Sequence, residues 1–172
     1  MTGKRLENRK RSAREPNTRG IVLIHGIRTR APWQLMVKQM LEKNPSVSVI
    51  PIGYGKLDTL SFLLPGPTRK IPIRTTTKKL RAAIMTFGSK ENPVSVIAHS
   101  FGTYSLAKIL EENRDIELQD VVLCGAIIPD DYDWGATRRQ IRGRIVSEYG
   151  TRDVWPAVAK SVTWGYGAAG TY

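Results

Sequence analysis

The residues with the clearest chemical use in this chain lie in Ala98-His99-Ser100-Phe101-Gly102. A serine hydroxyl is a weak nucleophile until a base takes its proton and donors hold the oxyanion it creates. A short apolar run, VSVI, leads into the pentapeptide, and a helical pattern, FGTYSLAKILEENRD, follows at once. A strand that turns directly into a helix brings two backbones together, so the residues two before and two after the corner must be small. Ala98 and Gly102 hold those positions. Ser100 then stands at the corner with its Oγ proud of the sheet edge. The N–H of Phe101 points to the same spot from a helix N-terminus, which suits a developing negative charge. The plainer alternative for Ser100 is a helix N-cap, a common role for serine.

The elements that must position these residues can be read from periodicity. GIVLIHG, residues 20–26, is a continuous apolar run that reads as a buried strand. APWQLMVKQMLEKN follows, with Trp33, Met36, Val37, Met40 and Leu41 at helical spacing on an expected apolar face, and Pro32 suits the first turn. SVSVIPIGYG, 46–55, reads as a strand with Pro51 near its end. Residues 56–74 contain Pro65, Gly66, Pro67 and Pro72, which predicts an irregular excursion, a lid or a cover for the sheet. TTTKKLRAAIMTFG then places Leu80, Ala83, Ile84 and Phe87 on one helical face before Gly88. The strand NPVSVIAHS and the helix FGTYSLAKILEENRD come next, the latter with Tyr104, Ala107 and Leu110 on one side. DVVLCGAIIPD is predicted as a strand broken by Pro129, GRIVSEYG as another, and DVWPAVAKSVTW as a short helix. Strands that are apolar throughout and alternate with helices call for an α/β fold with a mostly parallel sheet flanked by helices on both faces. In such a sheet the site gathers at the strand C-terminal ends.

A length of 172 residues suits one folded domain, 20–172, behind a basic tail, 1–19. The tail holds seven Lys and Arg against Glu7 and Glu15, a net +5, which leaves +7 of the total +12 spread over the domain. That charge favours acidic partners, including nucleic acid or anionic lipid, without selecting one. No zinc-ligand spacing and no aromatic RNA-binding signature accompanies it, so a nucleic-acid-associated role stands on charge alone. No apolar stretch is long enough for a transmembrane helix, and no secretory signal follows the basic N-terminus. The single cysteine, Cys124, lies in an apolar run and is expected to be a buried small hydrophobe in a reducing compartment, the cytoplasm.

AHSFG after VSVI, with IVLIHGI earlier, resembles the α/β-hydrolase fold enzymes of esterase and lipase type, with alanine where the usual elbow has glycine. The resemblance covers roughly the middle of that fold, from its third strand to just past its acid. It implies a serine hydrolase acting on an ester or other acyl substrate, with no metal or organic cofactor. Ser100 would be the nucleophile and Phe101 one oxyanion donor. His25-Gly26 falls where the family has its oxyanion loop, which makes Ile27 the second donor by position, with Arg28 one residue away. His25 itself reads as a hydrogen-bonded core histidine, and His99 is expected to pack against the sheet, away from substrate. The family's acid follows a late strand. RIVSEYGTRDVWP matches that segment and makes Asp153 the first candidate, against a helix N-cap role for the same residue. Asp130 is second, in a cluster with Asp131 and Asp133 that also reads as a solvated turn. Leu60, Phe62, Leu63 and Leu64 could cover an acyl pocket or simply pack over the sheet edge.

The family order is serine, acid, histidine, and this sequence has no histidine after residue 99. Three explanations compete: a longer natural chain that carries the base, a base from His25 or a partner chain, and a non-catalytic relative that keeps the pocket for binding.

Overall fold

The computed structural model describes residues 18–26, 32–53 and 70–148. Five strands form one parallel sheet: β1 (Arg19–Ile24), β2 (Val47–Ile52), β3 (Ser95–His99), β4 (Val121–Cys124) and β5 (Ile145–Glu148), in the order β2-β1-β3-β4-β5. Four helices accompany it: α1 (Pro32–Leu41), α2 (Lys70–Phe87), α3 (Phe101–Glu112) and the short α4 (Trp134–Thr137), which runs into a 3-10 turn at Arg138–Gln140. The α/β fold expected from the alternating pattern is therefore the one observed. None of the helices among the described residues is long and apolar enough to cross a membrane.

The two faces of the sheet are covered differently. On one face Val22 and Ile24, Val96 and Ala98, and Val121 and Leu123 pack with Leu80 and Ala83 of α2 and with Leu106, Ile109 and Leu110 of α3. These strand residues alternate with those of the other face, as the pleat requires. On that second face α1 packs on β2, and its Trp33 meets the ring of His99 at 5.6 Å. Further along the same face, Ile21, Ile97, Val122 and Val146 are half-buried and line an open groove of about 240 Å3.

α1 departs from the apolar face its spacing predicts. Met36 and Met40 are 62% and 65% exposed, and the residue it buries is Gln34. The reason is polar. Gln34 Nε2 donates to Leu23 O at 2.9 Å and to Ile52 O at 3.4 Å, serving carbonyls near the ends of β1 and β2. Lys38 and Glu42 grip the outer edge of β2. Lys38 Nζ donates to Val49 O at 2.7 Å, and Glu42 Oε1 accepts from Val49 N at 2.9 Å. An edge strand presents unpaired backbone groups, and these two side chains close them off. Pro51 sits exposed on that same edge strand, where a missing N–H does least harm.

α2 begins earlier than the prolines suggest. It starts at Lys70 and carries Pro72 in its first turn, where a helix needs no N–H from that residue. Thr75, Thr76 and Thr77 each bond back to the carbonyl four residues earlier, which removes their polarity from the packed region. Residues 56–69 of the predicted excursion fall within 54–69, outside the described residues. β4 is also shorter than predicted. It ends at Cys124, and the break comes at Gly125, with φ of 54°, rather than at Pro129. Cys124 is half-buried instead of buried, because it faces the more open side of the sheet beside His99.

Candidate active site

Strand order locates a crevice before any side chain is considered. The chain leaves β1 toward β2 on one side and leaves β3 toward β4 on the other, so the C-terminal ends of β1 and β3 are a topological switch point. His25 and Gly26 follow β1, and Ser100 follows β3.

Ser100 has φ of 53° and ψ of −125°, and it is the one non-glycine residue with positive φ among those described. Such a conformation costs about 1–3 kcal/mol and persists only where the surroundings enforce it. The surroundings here are explicit. Ser100 N donates to Cys124 O at 3.0 Å, and Ser100 O accepts from Thr103 N at 2.8 Å and from Thr103 Oγ1 at 2.6 Å. The Ser100 side chain makes no capping bond to α3, so the N-cap alternative does not describe it.

The small residues follow from distance. A Cβ on Gly102 would lie 2.5 Å from Ile24 O and 3.1 Å from His25 O, so α3 crosses β1 with no room for a methyl group. A Cβ on Gly26 would lie 2.9 Å from Ser100 Cβ, and 3.1 Å from both Ser100 Oγ and Phe101 N. Gly26 therefore keeps open the space that the serine hydroxyl and the first-turn N–H of α3 share. Those first-turn donors lie at the positive end of the helix.

Both histidines are engaged elsewhere. His25 is buried, and its Nδ1 bonds to Gly26 O. A Cβ on Gly53 would be 3.1 Å from His25 Nε2, so the ring reaches toward the end of β2, on the far side of β1 from Ser100. Lys79 Nζ donates to Gly53 O at 2.6 Å beside it. Burial lowers the pKa of His25 below its ordinary 6.5; the Gly26 bond opposes the shift and the Lys79 charge adds to it. His25 is thus the core histidine its sequence position implies. His99 is exposed rather than packed into the sheet, and it lies obliquely against Trp33.

A neutral buried histidine has a consequence for stability. Its folded pKa is the lower one, so the unfolded chain binds the proton more tightly. The stabilisation is complete above about 6.5 and is lost as pH falls from there through the folded value. Denaturant midpoints are expected to fall between about pH 7.5 and about pH 5, and His25→Asn should flatten that dependence. An unchanged slope in the variant would assign the pH response to other groups.

The remaining site candidates divide by position. Phe101 opens α3 beside Ser100. Asp133 caps α4, its carboxylate accepting from Ala136 N at 2.9 Å, and so behaves as the turn residue its sequence context predicts. Asp130 is exposed six residues after the end of β4. Ile27, Arg28 and Asp153 lie outside the described residues. Among the described residues no group of three or more His, Cys, Asp or Glu is placed to hold a metal ion. One structural participant had no sequence signal strong enough to find it. Thr103 is fully buried, and its role depends on a carbonyl that only the elbow turns toward it.

The fold and the site define a class, a parallel α/β domain with a strained serine at the switch point of its sheet. No family model matches the chain, and no curated protein matches it.

Proposed function

We propose that this protein is a serine hydrolase of the α/β-hydrolase type that acts on carboxylic esters or related acyl compounds, with Ser100 as nucleophile. The single observation that carries the reading is the conformation of Ser100: a non-glycine residue at φ 53°, at a switch point, with its side chain unused by the helix it precedes. Strain of this kind concentrates at reactive positions, because it aims a side chain where relaxed backbone would not.

In this reading Ser100 Oγ bonds to the acyl carbon while its proton passes to a base. The carbonyl oxygen becomes an oxyanion beside the N–H of Phe101, in the space that Gly26 leaves open. Collapse of the intermediate expels the alcohol or thiol, which takes the proton back. Water then repeats the sequence and releases the acid. His25 is directed toward β2 and His99 toward Trp33, so the base comes from outside the described residues. Asp153 is the proposed orienting acid and Ile27 the proposed second oxyanion donor.

The engagement of both histidines favours a second reading, a binding domain that keeps the elbow without turning over substrate. One experiment separates the two. The purified chain is treated with a fluorophosphonate, and the adduct is read by intact mass and peptide mapping. A single adduct on Ser100 supports the hydrolase. A folded chain that takes up no label supports the binding domain.

A further inference from the structure

We infer that Thr103 is a positioning residue for Ser100, a buried clamp that fixes the strained elbow to the chain segment after β4. Because Thr103 acts only through Ser100, its role rests on the reading of Ser100 as the nucleophile.

The bonds set the direction of every proton. Ile127 N is a backbone donor and lies 3.1 Å from Thr103 Oγ1, so the hydroxyl accepts there. Its single hydrogen is then available for Ser100 O, 2.6 Å away. Thr103 N donates to the same carbonyl at 2.8 Å. The Ser100 carbonyl is held from two directions by one residue. The residue is fully buried, and Ile127 is 1% exposed, so water has little access to replace the hydroxyl.

The other end of the clamp is itself anchored. Ala126, Ile127 and Ile128 are each 1% exposed, and Tyr132 Oη donates to Ala107 O on α3 at 3.2 Å. The segment after β4 is therefore fastened along α3 at two points, one of which runs through the elbow. A change in that segment reaches Ser100 through Thr103. A threonine placed only to cap or fill a helix has no need of this two-sided arrangement.

The test uses the full chain and the variants Thr103→Val and Thr103→Ser. Fluorophosphonate labelling is followed over time at several probe concentrations. Thr103→Val keeps the volume and removes the hydroxyl. It is expected to lower the maximal labelling rate about tenfold and leave the half-saturating concentration unchanged. Thr103→Ser restores the hydroxyl and should label within about twofold of wild type. A merely structural threonine would lower the melting temperature without moving the rate measured well below it. Equal rates in wild type and Thr103→Val overturn the inference.

NMR of the same proteins reads the clamp without any reaction. In Thr103→Val the Ser100 Cα and Cβ shifts should leave their positive-φ values, and the Ile127 amide should exchange about tenfold faster. Shifts and exchange both unchanged overturn the clamp. If wild type takes up no label at Ser100 but the NMR changes occur, the clamp stands and the hydrolase reading fails. Should Thr103→Val not fold, Thr103→Cys keeps a similar volume with a weaker donor and acceptor, and the same outcomes apply.

Discussion

Gly102→Ala is expected to unfold the protein roughly 6 °C below wild type, a direction opposite to the usual effect of this substitution in a helix. Glycine in a helix interior is about 1 kcal/mol worse than alanine, so a helix with room for the methyl group would gain. Here the new Cβ would sit 2.5 Å from Ile24 O and 3.0 Å from Ile24 C, both backbone atoms of the central strand β1. Those atoms are pinned by parallel pairing to β2 and β3 and cannot swing aside as a flexible side chain could. Forcing α3 off the sheet costs about 3 kcal/mol, which leaves a net loss near 2 kcal/mol. Thermal unfolding followed by circular dichroism reads the result. A melting temperature at or above wild type would show that α3 stands further from β1 than these distances require.

The second large effect concerns Ser100, where stability and reactivity should move in opposite directions. Ser100→Gly removes the strain of a side chain at φ 53°, worth about 1–3 kcal/mol, and returns about 0.5–1 kcal/mol through the greater freedom of the unfolded chain. The expected outcome is a protein about 1 kcal/mol more stable than wild type, with no phosphonate adduct. Ser100→Ala keeps the Cβ and its strain, so its stability should stay near that of wild type while labelling is equally abolished. With a base in place, loss of the nucleophile corresponds to a fall in turnover on the order of a millionfold. Urea unfolding beside labelling of all three proteins checks the pair of claims. A Ser100→Gly variant less stable than wild type would mean that the serine side chain contributes packing or hydrogen bonds that outweigh its strain. Retained labelling in either variant would place the reactive hydroxyl elsewhere.

Much of this protein could be read directly from its residues. The apolar runs of β1, β3 and β4 announce strands covered on both sides, and the helical spacing of Leu80 and Ala83 or of Tyr104, Ala107 and Leu110 names faces that are indeed buried. The elbow was legible for the same reason: AHSFG between a strand and a helix is a local arrangement, and a corner of that sort dictates small neighbours wherever it occurs. What periodicity could not decide was which way α1 turns. Its Met36 and Met40 look like core residues, yet Gln34 faces inward, because strand-end carbonyls of β1 and β2 must be satisfied and only the assembled sheet presents them. Pro72 inside α2 and the early end of β4 at Gly125 are of the same kind. A proline is harmless in a first turn, and a strand stops where its chain leaves the ladder, and each depends on where the element begins or ends in space. The strain at Ser100, the pointing of His25 toward β2 and the clamp through Thr103 belong wholly to the tertiary structure. Sequence fixes residue types and short spacings. Which carbonyl meets which hydroxyl, across twenty-four residues between Thr103 and Ile127, is decided by strand order and packing alone.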